Sequence, residues 1–405
     1  MTPQFRITLN QKFCARNSQR RQYRIAFFSI CYFFIHPDAQ IFVFELLLKI
    51  TLAYPHVRCS TILHYRSATN IKNAQRKLEL TGMDESSQNY IRSTRLTDIL
   101  DLKRIARGIN MDITQLDAGS FQSDVAQLKV RNVLASLITS NRRLRLQGNV
   151  NFLTVSFISQ ESGSPTWRGI SASPGDVLAA NAGETFDLVV PPGVEAYCVS
   201  VVGNAEVTLR NLGGPVLAGK LSGTAHPIPC DLNAIREIGD WLAEQFDRSG
   251  GDSDLANGSA LELEQEFLRR LAACMRAGTP SSSDGDSTVL KRIDVVRCVE
   301  QHLLNDVAIP QTVDDLCRVA GTSRRTLEYA FRDYFGTSPK RFIKVLRMNA
   351  ARNDLVRGYH GSAQVVEIAS GWGFNHMGQF SSDYGNMFGE KPSETLRRSP
   401  SRNGV

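Results

Sequence analysis

The sequence predicts an α+β chain in which a β-rich barrel precedes an all-α domain, and three observations carry that expectation. One helical unit occurs twice in the last quarter of the chain. Short runs of alternating apolar and polar residues, broken by Pro-Gly and Gly turns, fill the stretch from about Tyr90 to Gly223. Between these regions lie two amphipathic helical segments.

The first 82 residues fit neither half. Arginine and lysine greatly outnumber Asp38, Glu45 and Glu79 there and supply most of the formal net charge of +7, so the overall charge is weak evidence for an anionic partner. Two apolar blocks, 25–35 and 41–54, flank His36-Pro37-Asp38-Ala39-Gln40, and neither reaches the roughly 18–20 residues of a membrane helix. Arg20, Arg21 and Arg24 precede an apolar run as in a signal peptide, yet no small-residue cleavage site follows cleanly. The expectation is a disordered extension or a start misassigned upstream of Met83; the alternative is a membrane-tethering or partner-binding segment.

A helical opening is expected over 96–107, with Ile99, Leu102, Ile105 and Ala106 apolar. Strands follow through 111–150, in NFLTVSFIS, in TWRGISASPGDVLAAN, in FDLVVPPGVEAYCVSVV and in AEVTLRNL, a spacing that suggests a small barrel or jelly roll. Between Met83 and Gly285 the only histidine is His226, so the cluster of histidines and a carboxylate that a metal-dependent enzyme needs is missing, and no metal or cofactor is expected. Neither a phosphate-binding GxxxxGK loop nor a nucleophile elbow occurs, and the chain is not expected to be an enzyme. A barrel without chemistry can hold a small-molecule effector. Trp167, Phe186 and Tyr197, with Phe152 and Phe157, are candidates to line such a pocket, or else they are core. Arg143, with Arg142 and Arg145, either recognises an effector carboxylate or forms an exposed edge-strand cluster. Asp176, Glu184, Asp187 and Glu195 read as solvated loop acids.

Leu232, Ile235, Ile238, Trp241, Leu242 and Phe246 define one amphipathic helix, and Leu261, Leu263, Phe267, Leu268, Leu271 and Met275 a second. The Ser- and Gly-rich stretch 278–287 has the composition of a flexible linker. Eight cysteines without paired spacing do not form a disulfide framework, which fits a cytoplasmic location.

The repeat reads TVDDLCRVAGTSRRTLEYAFRDYFGTSP at 312–339 and VVEIASGWGFNHMGQFSSDYGNMFGEKP at 365–392. Val313, Leu316, Cys317 and Gly321 match Val365, Ile368, Ala369 and Gly373 at one constant offset. After one extra residue, Leu327, Phe331, Phe335, Gly336 and Pro339 match Phe380, Tyr384, Phe388, Gly389 and Pro392. Each copy has helix-turn-helix grammar: in the first, Thr312 caps a short helix with a buried stripe, Gly321 makes the turn and Ser323 caps a second helix. That second helix buries Leu327, Ala330, Phe331 and Tyr334 or Phe335, leaving Arg324, Arg325, Glu328, Tyr329 and Arg332 on a face that suits the DNA major groove. Phe342, Ile343, Leu346, Ala350 and Leu355 predict one long helix linking the copies, with Lys340, Arg341, Lys344, Arg347 and Arg352 contacting phosphates or merely solvating it.

With its EIA, GF, Phe380, Tyr384 and Phe388-Gly389-Glu390-Lys391-Pro392 ending, the second copy resembles the AraC/XylS family signature, and the resemblance covers roughly 291–397. It implies a domain whose two recognition helices enter successive major grooves of double-stranded DNA. Its base-reading positions fall on Arg324, Arg325, Glu328 and Tyr329 in the first head and on His376, Met377, Gly378, Gln379, Ser381 and Ser382 in the second. The first head has the better guanine- and cytosine-reading groups, whereas Gly378 and Gly385 weaken the second helix. More loosely, QLDAGSF and the stretch from Trp167 to Val201 resemble the cupin-like effector domain that precedes this reader in many such regulators. The resemblance implies a ligand-responsive activator that works with RNA polymerase as a homodimer, its dimer contact made by the two amphipathic helices unless these simply pack on the barrel. The implied organisation is an extension at 1–82, a cupin-like domain at 83–230, a helical dimerisation segment at 231–277, a linker at 278–287 and the double reader at 288–398.

Residues 1–82 offer no amphipathic period to bury, and exposed apolar blocks promote aggregation. A chain starting at Met83 is therefore expected to keep operator affinity and dimerisation and to gain solubility; sedimentation and gel-shift comparison would expose a working N-terminal domain if either property fell.

Overall fold

The computed structural model describes residues 89–398 apart from 159–162, 223–224, 249–252, 278–286, 306–310 and 358–363; the extension 1–82 and most of the 278–287 linker lie outside the described residues. Strand β1 (Tyr90–Leu96) and helix α1 (Ile99–Ile105) open the chain. Strands β2 (Ile109–Gln115), β3 (Ser123–Val130), β4 (Val133–Ser140), β5 (Leu144–Val150) and β6 (Leu153–Ile158) follow. The β-rich half continues with β7 (Thr166–Trp167), β8 (Ile170–Ser171), β9 (Asp176–Ala180), β10 (Thr185–Val190) and β11 (Glu195–Val201). Helices α2 (Asn204–Ser222), α3 (Leu232–Arg248) and α4 (Asn257–Ala277) come next, with short strands β12 (Ile228–Pro229) and β13 (Ser253–Asp254) between them.

All strand pairs are antiparallel and form two sheets, one ordered β12-β9-β6-β11-β4-β3-β1-β13 and the other β2-β5-β10-β7-β8. Period-two alternation assigns each strand two neighbours. In β11, Tyr197, Val199 and Val201 pack outward with Ile235, Ile238, Leu242, Phe267 and Leu271 of α3 and α4. Ala196, Cys198 and Ser200 of the same strand face a cavity between the sheets. The smaller sheet is also used on both faces: Phe186, Leu188 and Val190 of β10 line the cavity, while Val189 joins the core of the C-terminal helices.

Two expected elements differ. Leu96 ends a strand rather than opening a helix, and α1 starts later because the Asp98 side chain caps it, accepting from the Leu100 N–H at 2.9 Å. AEVTLRNL is helix, the first part of α2, and not a strand. Its alternating V-T-L-R reads as strand, but Ala205 and Leu209, one helical turn apart, are the buried pair, and Val207 is 58% exposed. Helix α2 kinks at Gly214-Pro215.

The C-terminal half consists of α5 (Ser287–Asn305), α6 (Val313–Val319), α7 (Arg324–Phe335), α8 (Pro339–Arg357), α9 (Val365–Gly371), α10 (Met377–Phe388) and α11 (Pro392–Arg398). The long linking helix is present as α8, burying Phe342, Ile343, Val345, Met348, Ala351 and Leu355. Phe331, Phe335 and Phe342 stack around one another with ring centroids 4.0–5.5 Å apart and fix α7 on α8.

The two halves meet through buried polar contacts. Arg145 of β5, 1% exposed, donates from Nε to Asp187 of β10 at 2.9 Å and from Nη2 to Glu300 of α5 at 2.8 Å, and the Tyr334 hydroxyl of α7 donates to Asp187 at 3.0 Å. Burial alone would lower the Arg145 pKa, but its hydrogen bonds to the two carboxylates outweigh burial and hold the guanidinium charged. Burial, then the Asp187 carboxylate, push the Tyr334 phenol upward. Arg145 therefore binds carboxylates of its own chain rather than an effector, and it is no exposed edge charge; Asp187 is likewise no solvated loop acid. On the sheet's open edge, Asn349 of α8 pairs with the backbone of Gln115 like an added strand residue, accepting from its N–H at 3.1 Å and donating to its carbonyl at 3.0 Å.

Removing one partner from a buried charge cluster leaves the others uncompensated. Arg145→Met is expected to lower unfolding free energy by about 3–5 kcal/mol in urea titration; a loss under about 1 kcal/mol would mean that water already solvates Asp187 and Glu300.

Candidate nucleic-acid interface

Helix α6 is held by a reciprocal capping box: Thr312 Oγ1 accepts from the Asp315 N–H at 3.1 Å and Asp315 accepts from the Thr312 N–H at 3.0 Å. The Thr312 hydroxyl, followed by its backbone N–H, keeps the Asp315 carboxyl below the ordinary range, so this cap holds at neutral pH and is lost only as acid protonates Asp315. Gly321, at φ 59, makes the turn, and Ser323 caps α7 by accepting from the Thr326 N–H.

Helix α7 turns Leu327, Ala330, Phe331, Tyr334 and Phe335 into the core. Arg324, Arg325, Tyr329 and Arg332 are exposed and Glu328 is half-buried, all on the opposite face. Arg325 donates to the Tyr329 hydroxyl at 3.3 Å with its guanidinium 5.3 Å from the ring, and Arg292 of α5 lies 5.8 Å from the same ring. Arg292 is anchored on Asp333 at 2.5 Å, which stiffens this cationic edge.

The second unit repeats the geometry with different chemistry. Trp372 donates from its indole to Asp354 of α8 at 2.7 Å, Gly373 makes the turn at φ 79, and α10 buries Phe380, Tyr384, Met387 and Phe388. The Tyr384 hydroxyl donates to Thr395 Oγ1 at 2.9 Å, and burial pushes its pKa up to about 12. His376, Gly378, Gln379, Ser381 and Ser382 are exposed, whereas Met377 packs against the core with Phe374. Lys340, Arg341, Lys344 and Arg347 of α8 share a groove of about 590 Å³ with Asn375, His376 and Gln379, so cations adjoin the second reading helix. Lys344 is paired there with Asp383 at 2.7 Å. Arg352 departs from expectation: it is 7% exposed, pairs with Asp98 and Glu390, and cannot serve a phosphate.

The cavity between the sheets has a volume of about 120 Å³. Trp167 and Phe186 line it. Tyr197 does not; it points out of the opposite sheet face, stacks on Phe157 at 5.1 Å and donates to the Gly239 carbonyl of α3 at 3.0 Å. Arg143 does not either, because it lies at the junction with α7, close to Gly336. Sequence reasoning missed the polar residues that share the wall, among them Gln127 and the small Ser136, Thr154, Ser156 and Ser200. Among the described residues no group of three or more His, Cys, Asp or Glu converges as a metal site would require.

This geometry defines a tandem helix-turn-helix reader behind a cavity-bearing β-rich half. Residues 316–398 match the family described as "Helix-turn-helix domain". The chain is 42% identical over 181 residues to the probable thc operon regulatory protein of Rhodococcus erythropolis, covering 42% of this chain and 53% of that protein. It is 33% identical over 104 residues to the XylDLEGF operon transcriptional activator of Pseudomonas putida, covering 26% of this chain and 31% of that one. A solved structure of a probable AraC family transcriptional regulator from Rhodopseudomonas palustris is 39% identical, covering 26% of this chain and 98% of that one, with a TM-score of 0.25. The C-terminal region thus belongs to the AraC/XylS family of helix-turn-helix regulators. The chain spans about half, or less, of the length of these two curated relatives.

Because Arg325 stands free of the core on the first reading helix, Arg325→Ala is expected to cost about 1–3 kcal/mol at the specific site and to relax preference at one base pair. Equal weakening on specific and random duplex in a fluorescence-anisotropy titration would reduce it to a phosphate contact.

Proposed function

We propose that the chain is a sequence-specific, double-stranded-DNA-binding transcription regulator of the AraC/XylS type, a ligand-responsive activator rather than an enzyme. The observation that carries this reading is the presentation of two reading helices, α7 and α10, each closed by a left-handed glycine, from one rigid helix, α8, with their polar N-terminal faces uncovered. Arg324, Arg325, Glu328, Tyr329 and Arg332 would read bases or phosphates in the first groove, and His376, Gly378, Gln379, Ser381 and Ser382 in the next. Met377 supports its helix from below more than it reads. Phosphate affinity would come from Lys340, Arg341 and Lys344 beside the second helix.

The effector reading rests on the cavity, whose wall is mainly apolar with hydroxyl and amide groups at intervals, with Trp167 and Phe186 as its large aromatic contacts. Action as a homodimer in the cytoplasm, in contact with RNA polymerase, completes the proposal. Helices α3 and α4 pack on the larger sheet, which supports the simpler of their two roles and leaves only their outer faces for a second copy. No helix among the described residues is long and apolar enough to cross a membrane.

The α5–α10 core is built mainly from its own residues, with Leu116 and Val189 of the β-rich half added at its rim, so a fragment from Thr288 to Val405 is expected to show helical circular dichroism and to shift operator DNA with affinity that falls steeply with salt. A folded fragment that shifted no DNA would refute the reading function; an unfolded one would show that the reader needs the β-rich half.

A further inference from the structure

Away from the cavity and the reader, two cysteines far apart in the sequence meet in the core that α3 and α4 form on the larger sheet. Cys274, in the last turn of α4, is 1% exposed within that core, and Cys230, just after β12, packs against it half-buried. Both are free thiols, and the Cys274 S–H donates a hydrogen bond to the Cys230 sulfur. The backbone holds Cys230 from both sides. Its N–H donates to the Gly175 carbonyl at 2.9 Å, and the next residue, Asp231, caps α3 by accepting from the Asn233 and Ala234 N–H groups at 2.8 and 3.1 Å. Lys220 of α2 donates to the Met275 carbonyl at 2.7 Å, which keeps its ammonium beside the pair.

The two thiols are unequal. The hydrogen bond from Cys274, aided by the Lys220 charge, draws the Cys230 thiol below its ordinary range against burial and the Asp176 carboxylate. The same hydrogen bond, then burial and the charges of Cys230 and Asp231, push the Cys274 thiol upward. A half-buried sulfur that readily becomes thiolate thus lies against a covered one that keeps its proton. Such a pair is a nucleophile with its resolving thiol already in place. Cys198 of β11 shows the contrast: burial pushes its thiol upward, and its hydrogen-bond partner is Ser156.

We propose that Cys230 and Cys274 form a reversible oxidation site, a dithiol that hydrogen peroxide converts into a disulfide joining the start of α3 to the end of α4. The Cys230 thiolate attacks one peroxide oxygen; the S–O bond forms, the O–O bond breaks, and the departing hydroxide takes up the proton that Cys230 gave up. Cys274 then attacks the sulfenic sulfur of Cys230. The S–S bond forms as the S–O bond breaks, and the Cys274 proton leaves with the hydroxide as water. Two thiols and one peroxide become one disulfide and two waters, and a dithiol reductant reverses the oxidation. In a reducing compartment such a bond lasts only while oxidant does, the behaviour of a sensor rather than of a structural staple.

The test is peptide mapping of the full chain after brief exposure to stoichiometric hydrogen peroxide, alkylation of the remaining thiols and non-reducing proteolysis. The peptides carrying Cys230 and Cys274 are expected to be joined, to separate after dithiothreitol, and to join at least about tenfold faster than in chain unfolded by urea. In Cys274→Ser, dimedone is expected to label Cys230 as its sulfenic acid. In Cys230→Ser, oxidation of Cys274 should slow by about tenfold or more. Absence of the joined peptides, joining no faster than in urea, no dimedone label on Cys230, or unslowed oxidation of Cys274 in Cys230→Ser would overturn the site. Mapping of the unsubstituted chain decides alone where a variant fails to fold.

Discussion

A guanidinium taken out of water must be met by carboxylates, and Arg145 meets that demand by drawing two halves of the chain together. Asp187 comes from the neighbouring strand, Glu300 from the first helix of the reader, and Tyr334 from the first reading helix itself. The five-stranded sheet consequently has no solvent face where these residues lie. One set of side chains on β5 and β10 lines the cavity, and the alternate set anchors the helices.

The same economy governs the reader. Helix α8 packs Phe342 into the first unit and binds Trp372 of the second through Asp354, so one helix sets the separation of two reading faces. The β-rich half touches both units at their C-terminal ends: Arg143 lies against Gly336, and Ser120 against Gly389. At either place a Cβ would come within about 3 Å of the neighbour, so glycine serves close approach as well as the left-handed cap. The opposite, N-terminal ends carry Arg324, Arg325 and His376 and stay uncovered. The contacts that join the halves are thus separated from the face proposed for DNA.

The reader was largely legible in the sequence, because a repeat supplies its own register: caps at Thr312 and Ser323, the turn at Gly321 and the buried face of α7 all follow from local rules, and the turn and the buried face recur in the second copy, where His376 replaces the Ser323 cap without a side-chain bond. The strands were legible from their turns. What escaped was whatever depended on a distant partner. Arg145 and Arg352 look like surface residues until Asp187, Glu300, Asp98 and Glu390 arrive from elsewhere in the chain. Tyr197 fails as a cavity residue for a reason the strand itself contains: it shares a face with Val199 and Val201, while the small Ala196, Cys198 and Ser200 make room for the cavity. Large aromatics fill space, and a pocket exists where side chains are small.

As proposed, two reading helices fixed on α8 engage one face of the duplex together. Methylation-protection footprinting of the full chain on its operator tests this most directly. Two protected major-groove patches are expected on one face, about one helical turn, or 10–10.5 base pairs, apart. A single patch that persisted after Arg325→Ala, or two patches on opposite faces of the helix, would contradict it.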